Sequence, residues 1–328
     1  DDSIAERGWP LKNTITTGCL TLALATLGQT ADVEEPLPTI AQKTAGLERA
    51  EGLLTTWIDR DRGRVFLAVP APGEHGVAAE LLYVEGLLTG LGSNPVGLDR
   101  GQLGPARLVQ LRRLGERVLI EEVNLDFRAL TESVDEERAV RQSFATSVLW
   151  AENIAAMDPD GRSLVDLGSF LVRDAHGVVP KLRMTGQGSF KLDPDRSVVD
   201  VGAFLSFPDN IEFEAVLTYT SDQPGELVEG TAPTAEAVTL VQHHSLIRLP
   251  EDGYVPRRFD PRAGSSPMTF TDYAAPLDEN IETRWIVRHR LEKADPTAER
   301  SPVVEPIVYF VDRGAPEPVR TALIEGAS

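Results

Sequence analysis

The 328-residue sequence has almost no cysteine, few histidines and a shortage of positive charge. Cys19 is its one cysteine, which excludes an intramolecular disulfide and any zinc site built on cysteines within the chain. Lys and Arg number 32 against 51 Asp and Glu, a formal charge of −19 at pH 7. That balance repels phosphate backbones, so nucleic acid is not an expected partner. Outside one N-terminal segment no stretch approaches the ~18 apolar residues of a spanning helix, and no integral membrane span is expected. With 41% hydrophobic and 25% charged residues the composition is that of a folded globular protein.

Absent motifs narrow the chemistry further. The histidines are His75, His176, His243, His244 and His289, and none has a second histidine four residues on, so the H-E-x-x-H zinc helix cannot be built here. Neighbours on a strand point to opposite faces, so His243 and His244 cannot grip one metal together; one is expected in the core and one outside. There is no G-x-S-x-G around any serine and no phosphate-binding lysine loop. The glycine-rich run 90–97 lacks the lysine of one nucleotide motif and the glycine spacing of the other, and reads as a loop between strands. No catalytic or metal-ligating residue is assigned within the chain.

Residues 1–31 read as a leader. Its segment 11–31, LKNTITTGCLTLALATLGQTA, has one positive charge, an apolar run of signal-peptide length and a small residue, Ala31, where cleavage could occur. An exported protein, periplasmic or extracellular, is the expectation; a lipoprotein lipidated at Cys19 has too few apolar residues before the cysteine. Residues 32–50 form an acidic, proline-containing lead and a short helix.

From 51 to 300 strand patterns dominate. Segments 53–58 and 64–69 flank the polar turn 59–63, and 81–88, 106–112 and 117–123 continue as a meander. Further strands are expected at 147–156, 212–220, 237–242, 286–291 and 307–311, with helices starting near 132 and over 316–327 and a loop-rich stretch at 249–276. An internal echo, MDPDGRSLVDLGSFL (157–171) and LDPDRSVVDVGAFL (192–205), reads as two similar hairpins in one sheet. A calcium loop is excluded because the fifth position after Asp158 is Arg162, and paired-carboxylate catalysis by Asp158 and Asp160 is set aside for the turn. The fold class expected is α+β and β-rich, with antiparallel sheets and meanders and few helices.

The densest polar constellation comprises Arg257, Arg258, Asp260, Arg262, Asp272, Arg288 and Arg290. Arginine forks pair bidentately with carboxylates. Two uses compete: an internal salt-bridge network pinning a long loop, or a docking surface for a peptide carboxylate or a neighbouring domain.

The blocks GLGSNPVGLDRGQLG (90–104), SFATSVLW (143–150), LVDLGSFLVRDAHGV (164–178), HHSLIRLPEDGYVPRRFDPRAG (243–264), DYAAPLDENI (272–281), RHRLEKADP (288–296) and EPIVYFVDRGAPEPVRTALIEGA (305–327) together resemble the N-terminal region, itself a domain of unknown function, of bacterial zinc-dependent metzincin-like metalloproteases. The resemblance implies that 301–328 begins a metallopeptidase domain with a strand and a helix, and that the H-E-x-x-H motif lies beyond this sequence. It implies zinc and peptide-bond hydrolysis for the full-length protein, with none of the zinc bound by this chain, and as partners the C-terminal peptidase domain and a peptide or protein substrate. The chain would then be a non-catalytic region that shields or shapes the peptidase cleft. The alternative is an exported β-rich module that binds peptide or glycan without enzymatic activity.

Overall fold

The computed structural model describes residues 36–327. The leader, the signal-peptide segment and Cys19 lie outside the described residues. In chain order the strands are β1 (Glu48–Ala50), β2 (Thr56–Asp59), β3 (Arg64–Val69), β4 (Val77–Leu87), β5 (Arg107–Leu114), β6 (Arg117–Glu122), β7 (Phe127–Arg128), β8 (Ser147–Asn153), β9 (Ala156–Met157), β10 (Ser163–Asp166), β11 (Lys191–Val199), β12 (Leu205–Ser206), β13 (Asn210–Thr220), β14 (Ala237–Arg248), β15 (Pro267–Asp272) and β16 (Glu282–Ile286). The α-helices are α1 (Ile40–Lys43), α2 (Val134–Ser143), α3 (Gly168–Leu171), α4 (Val178–Met184), α5 (Glu226–Glu229) and α6 (Val319–Ala327). The chain is β-rich, with antiparallel sheets and few helices, as its strand patterns foretell.

Two tight turns set the registers. Gly63, at φ 62, closes the β2–β3 hairpin, whose last pair is Asp59 and Arg64. Between β5 and β6 only Gly115 and Glu116 intervene, and Gly115 takes φ 58 at the first of the two positions, where such a connection needs a residue tolerant of positive φ. The largest sheet is curled and runs β11-β13-β14-β4-β5-β6-β8, with β12 beside β13. A second sheet, β1-β2-β3-β10-β9, and a small third one, β16-β15-β7, complete the pairing. All pairs are antiparallel except β15 with β7, which is parallel.

The core lies on the inner face of the curled sheet. At one end Leu81, Tyr83, Val109, Phe213 and Leu246 pack against Val65, Leu67 and Val69 of β3 and against α3. At the other end Leu87, Leu217, Tyr219 and Leu240 are covered by α4, α5 and the 90–98 loop through Val178, Leu182, Val228 and Leu98. The opposite side of β3 meets α1 through Phe66, Ala68 and Ile40. β3 therefore has apolar residues on both faces, which is why 65–69 reads as an unbroken apolar run rather than an alternating one.

Three expectations are corrected. The echo does not make two hairpins in one sheet. Its first copy is a hairpin in the second sheet, with Asp158 N–H on Arg162 O and Gly161 at φ 89. Its second copy is a bulge within β11 in the curled sheet, where Asp193 Oδ1 accepts the N–H groups of Asp195 and Arg196. The glycine that the second copy lacks is the residue that reverses the chain in the first. The strand expected at 286–291 lies upstream as β16, because its partners are Pro267–Thr271 on one side and the 257–259 segment on the other. No strand forms at 307–311; an apolar alternation makes a strand only where another backbone pairs with it. The helix expected at 316–327 is present as α6.

Candidate functional site

The β15–β16 connection, residues 273–281, arches over a cleft of about 620 Å³. Its floor and walls include Leu130, Arg258, Phe259, Asp272, Pro276 and Thr283. The frame is firm. Phe259 N–H donates to Arg284 O and Ile286 N–H to Arg257 O, each at 2.9 Å, so 257–259 pairs along the outer edge of β16. Asp272 is 8% exposed, and its Oδ1 accepts the N–H groups of Leu130 at 2.9 Å and Ala274 at 3.1 Å. Beneath, Phe270 and Trp285 meet edge to face with centroids 4.7 Å apart, and the Arg128 guanidinium lies 4.3 Å from the Phe270 ring centre. Burial there pushes the Arg128 pKa down.

Of the seven polar residues singled out in the sequence, the structure brings Arg258 and Asp272 into this one cleft. The others disperse. Arg262 forms a local exposed pair with Asp260 at 2.6 Å, a contact that lowers the Asp260 pKa and raises that of Arg262. Arg288 donates to the carbonyls of Val255 and His289 and lies over Tyr254, while Arg290 pairs with Glu292 and reaches Glu251 O. The Arg257 side chain has no hydrogen bond or ion pair among the described residues. These arginines thus strap the 251–262 stretch to the segment after β16 by backbone contacts more than by charge pairs.

A second polar centre went unread in the sequence. Across the inner face of the curled sheet, between the two apolar clusters, lie Tyr83, Glu85, Arg107, Gln242 and His244, met from above by Arg173. The Tyr83 hydroxyl is 2.9 Å from His244 Nδ1 and accepts from Arg173 at 2.9 Å; His244 Nε2 lies 3.1 Å from Leu171 O. Neutral imidazole with its proton on Nε2 accepts from the Tyr83 hydroxyl and donates to Leu171 O, and the Gln242 amide nitrogen, 2.9 Å from the same Nε2, then faces it as a second donor. Burial pushes the His244 pKa down to about 3 and pushes the Tyr83 phenol up. Both shifts favour the uncharged forms of His244 and Tyr83 at neutral pH. Gln242 bridges Arg173 O and His176 N–H, and Asp174 takes the N–H groups of Val178 and Val179 at the start of α4. The belt pins the 172–178 segment onto the sheet. Its signal was polar residues at inward positions of otherwise alternating strands, Glu85 in β4 and Gln242 and His244 in β14.

On the outer face His243 Nε2 lies 2.7 Å from Glu212 and Nδ1 3.7 Å from Glu214. The two ring nitrogens address different carboxylates, and among the described residues no three His, Cys, Asp or Glu side chains are placed to hold a metal. No described helix is long and apolar enough to cross a membrane.

A family model described as Domain of unknown function (DUF5117) matches residues 101–294, more than half of the chain and the whole of the cleft. No curated protein and no solved structure matches the sequence.

Proposed function

The chain belongs to the DUF5117 family, and from that premise we propose that it is the non-catalytic, β-rich region of an exported zinc-dependent metalloprotease, against which the peptidase domain packs. The observation that supports this most is the apolar stretch between β16 and α6. Val304, Val308, Tyr309 and Phe310 are 62% to 93% exposed and lie within seven positions of one another. Contiguous exposed apolar surface of this kind marks an interface. The ordered blocks of resemblance between 90 and 327 support a zinc peptidase domain on the same polypeptide as the partner. The chain's part is to shape or shield that domain's cleft, and zinc and the water it activates belong to the partner.

The test compares the protein encoded by the whole gene with this chain alone. The whole protein should cleave casein in a manner abolished by a zinc chelator and restored by zinc, and the chain alone should cleave nothing. Chelator-sensitive cleavage by the chain alone would overturn the reading, as would a whole protein that neither binds zinc nor cleaves protein. Phe310→Ser in the whole protein should weaken protection of the peptidase domain against limited proteolysis while leaving the melting temperature of the isolated chain unchanged.

A further inference from the structure

We propose that the cleft under the β15–β16 connection binds the free carboxyl end of a short peptide, with Arg258 taking the carboxylate and Asp272 taking an N–H of the same ligand. This goes beyond the reading above and needs no peptidase domain.

The cleft's charges are unequally used. Arg284 is paired with Glu282 at 2.6 Å, and the Arg128 guanidinium is spent on the Phe270 and Trp285 rings. The Arg258 guanidinium has no hydrogen bond, ion pair or ring contact among the described residues, yet its backbone is held in register by the bridge to Trp285. A fork fixed at its base and empty at its tip is suited to a planar, bidentate anion. Asp272 is nearly buried and spends one oxygen on two backbone N–H groups; its other oxygen has no donor among the described residues. That second oxygen reaches the solvent of the cleft and is open to a ligand N–H or ammonium.

These two demands choose the ligand. A phosphate or sulfate would satisfy Arg258 but would set its second charge against Asp272 and Glu279, which also lines the cleft and has no cationic partner. A cation would meet Arg258. A peptide carboxyl end carries one negative charge with an amide N–H on the adjoining Cα, and so offers an acceptor to Arg258 and a donor to Asp272 in one ligand. Of the remaining lining, Asn280 and Thr283 are polar, while Leu130, Phe259, Pro276 and the alanines 274 and 275 give an apolar part that suits an aliphatic last side chain. A volume of about 620 Å³ holds a ligand of a few residues and lies within the range of roughly 300–1,000 Å³ usual for small-ligand sites.

Isothermal titration of the intact chain with the tripeptide Ala-Ala-Leu tests this, against the same tripeptide with an amidated carboxyl end, inorganic phosphate, Arg258→Gln and Arg262→Gln. The free tripeptide should bind the native chain and Arg262→Gln equally. Amidation, or Arg258→Gln, should weaken binding about tenfold or more, the loss expected when a charge-assisted pair is removed. Arg258 is exposed and pairs with nothing, so Arg258→Gln should melt with the native chain; were it to misfold, the amidated peptide alone decides. Equal binding of the amide, phosphate binding as tight as the peptide, or no binding of the free tripeptide at millimolar concentration would each overturn the proposal.

Discussion

His243 and His244 are consecutive residues of β14 that share no environment: His244 is fully buried against Tyr83 on the inner face, while His243 stands on the outer face between Glu212 and Glu214. The strand's alternation separates them, and the separation drives their proton affinities in opposite directions. Burial lowers the His244 pKa, whereas the Glu212 hydrogen bond raises that of His243.

Burial holds His244 well below the ordinary histidine value. Its folded value of about 3 lies below its ordinary 6.5, so between these the unfolded chain binds a proton that the folded chain does not. Stability therefore falls as pH drops through that window, by up to about 1.4 kcal/mol per pH unit from this group. His244→Gln keeps a hydrogen-bonding side chain and removes the titration. Its denaturant midpoint should fall less steeply between about pH 6.5 and pH 4 than that of the native chain, and an identical slope would refute the assignment.

For the outer pair the window is bounded from both sides. The raised His243 contributes stability that is fully present below 6.5 and is lost as pH rises through its folded value; the lowered Glu212 contributes above 4.5 and is lost as pH falls through its own. The destabilisation caused by His243→Gln should be largest between about pH 4.5 and 6.5 and shrink at pH 9. Melting curves at three pH values suffice, and a pH-independent deficit would mean that the contact is steric rather than ionic.

The meander and its hairpins were legible because each rests on local chemistry: Gly63, Gly115 and Gly161 supply the positive φ that their turns need. The opposed faces of His243 and His244 followed from strand geometry alone. Less was legible in the polar sites. Arg258 and Asp272 come together because 257–259 pairs along β16 and the β15–β16 loop folds over, a tertiary pairing that no periodicity announces. The inner belt was hidden for a related reason: Glu85 and His244 are 159 positions apart in the chain and meet only because β4 and β14 pair. The stretch 307–311 has strand composition but no backbone beside it.

Gly188 tests a position where backbone and space agree. Its φ is +104, and a Cβ there would fall 2.2 Å from Gln223 O, a backbone atom held by the Gly225 N–H contact with Gln187 O nearby. Gly188→Ala should cost about 2 kcal/mol or more, since both the conformation and the overlap oppose it. Melting unchanged from the native chain would show that the 186–188 turn rearranges without cost.

The Glu85–Arg107 pair decides whether the belt is a stabilising element or a specificity device. Glu85 is 2% exposed and Arg107 Nη1 lies 2.5 Å from it; Gly104 permits the approach, because a Cβ there would fall 1.8 Å from Glu85 Oε1. Arg107→Met strands a buried carboxylate and should destabilise by about 3–5 kcal/mol, towards the lower end because the positive charge of Arg173 also acts on Glu85. The double variant Arg107→Met, Glu85→Met removes both charges and places apolar side chains at the seam of two apolar clusters. It should be more stable than the single variant by about 2 kcal/mol or more. If the double variant is as unstable as the single one, the deficit comes from lost packing of the Arg107 stem, and the carboxylate is not the group that the arginine serves.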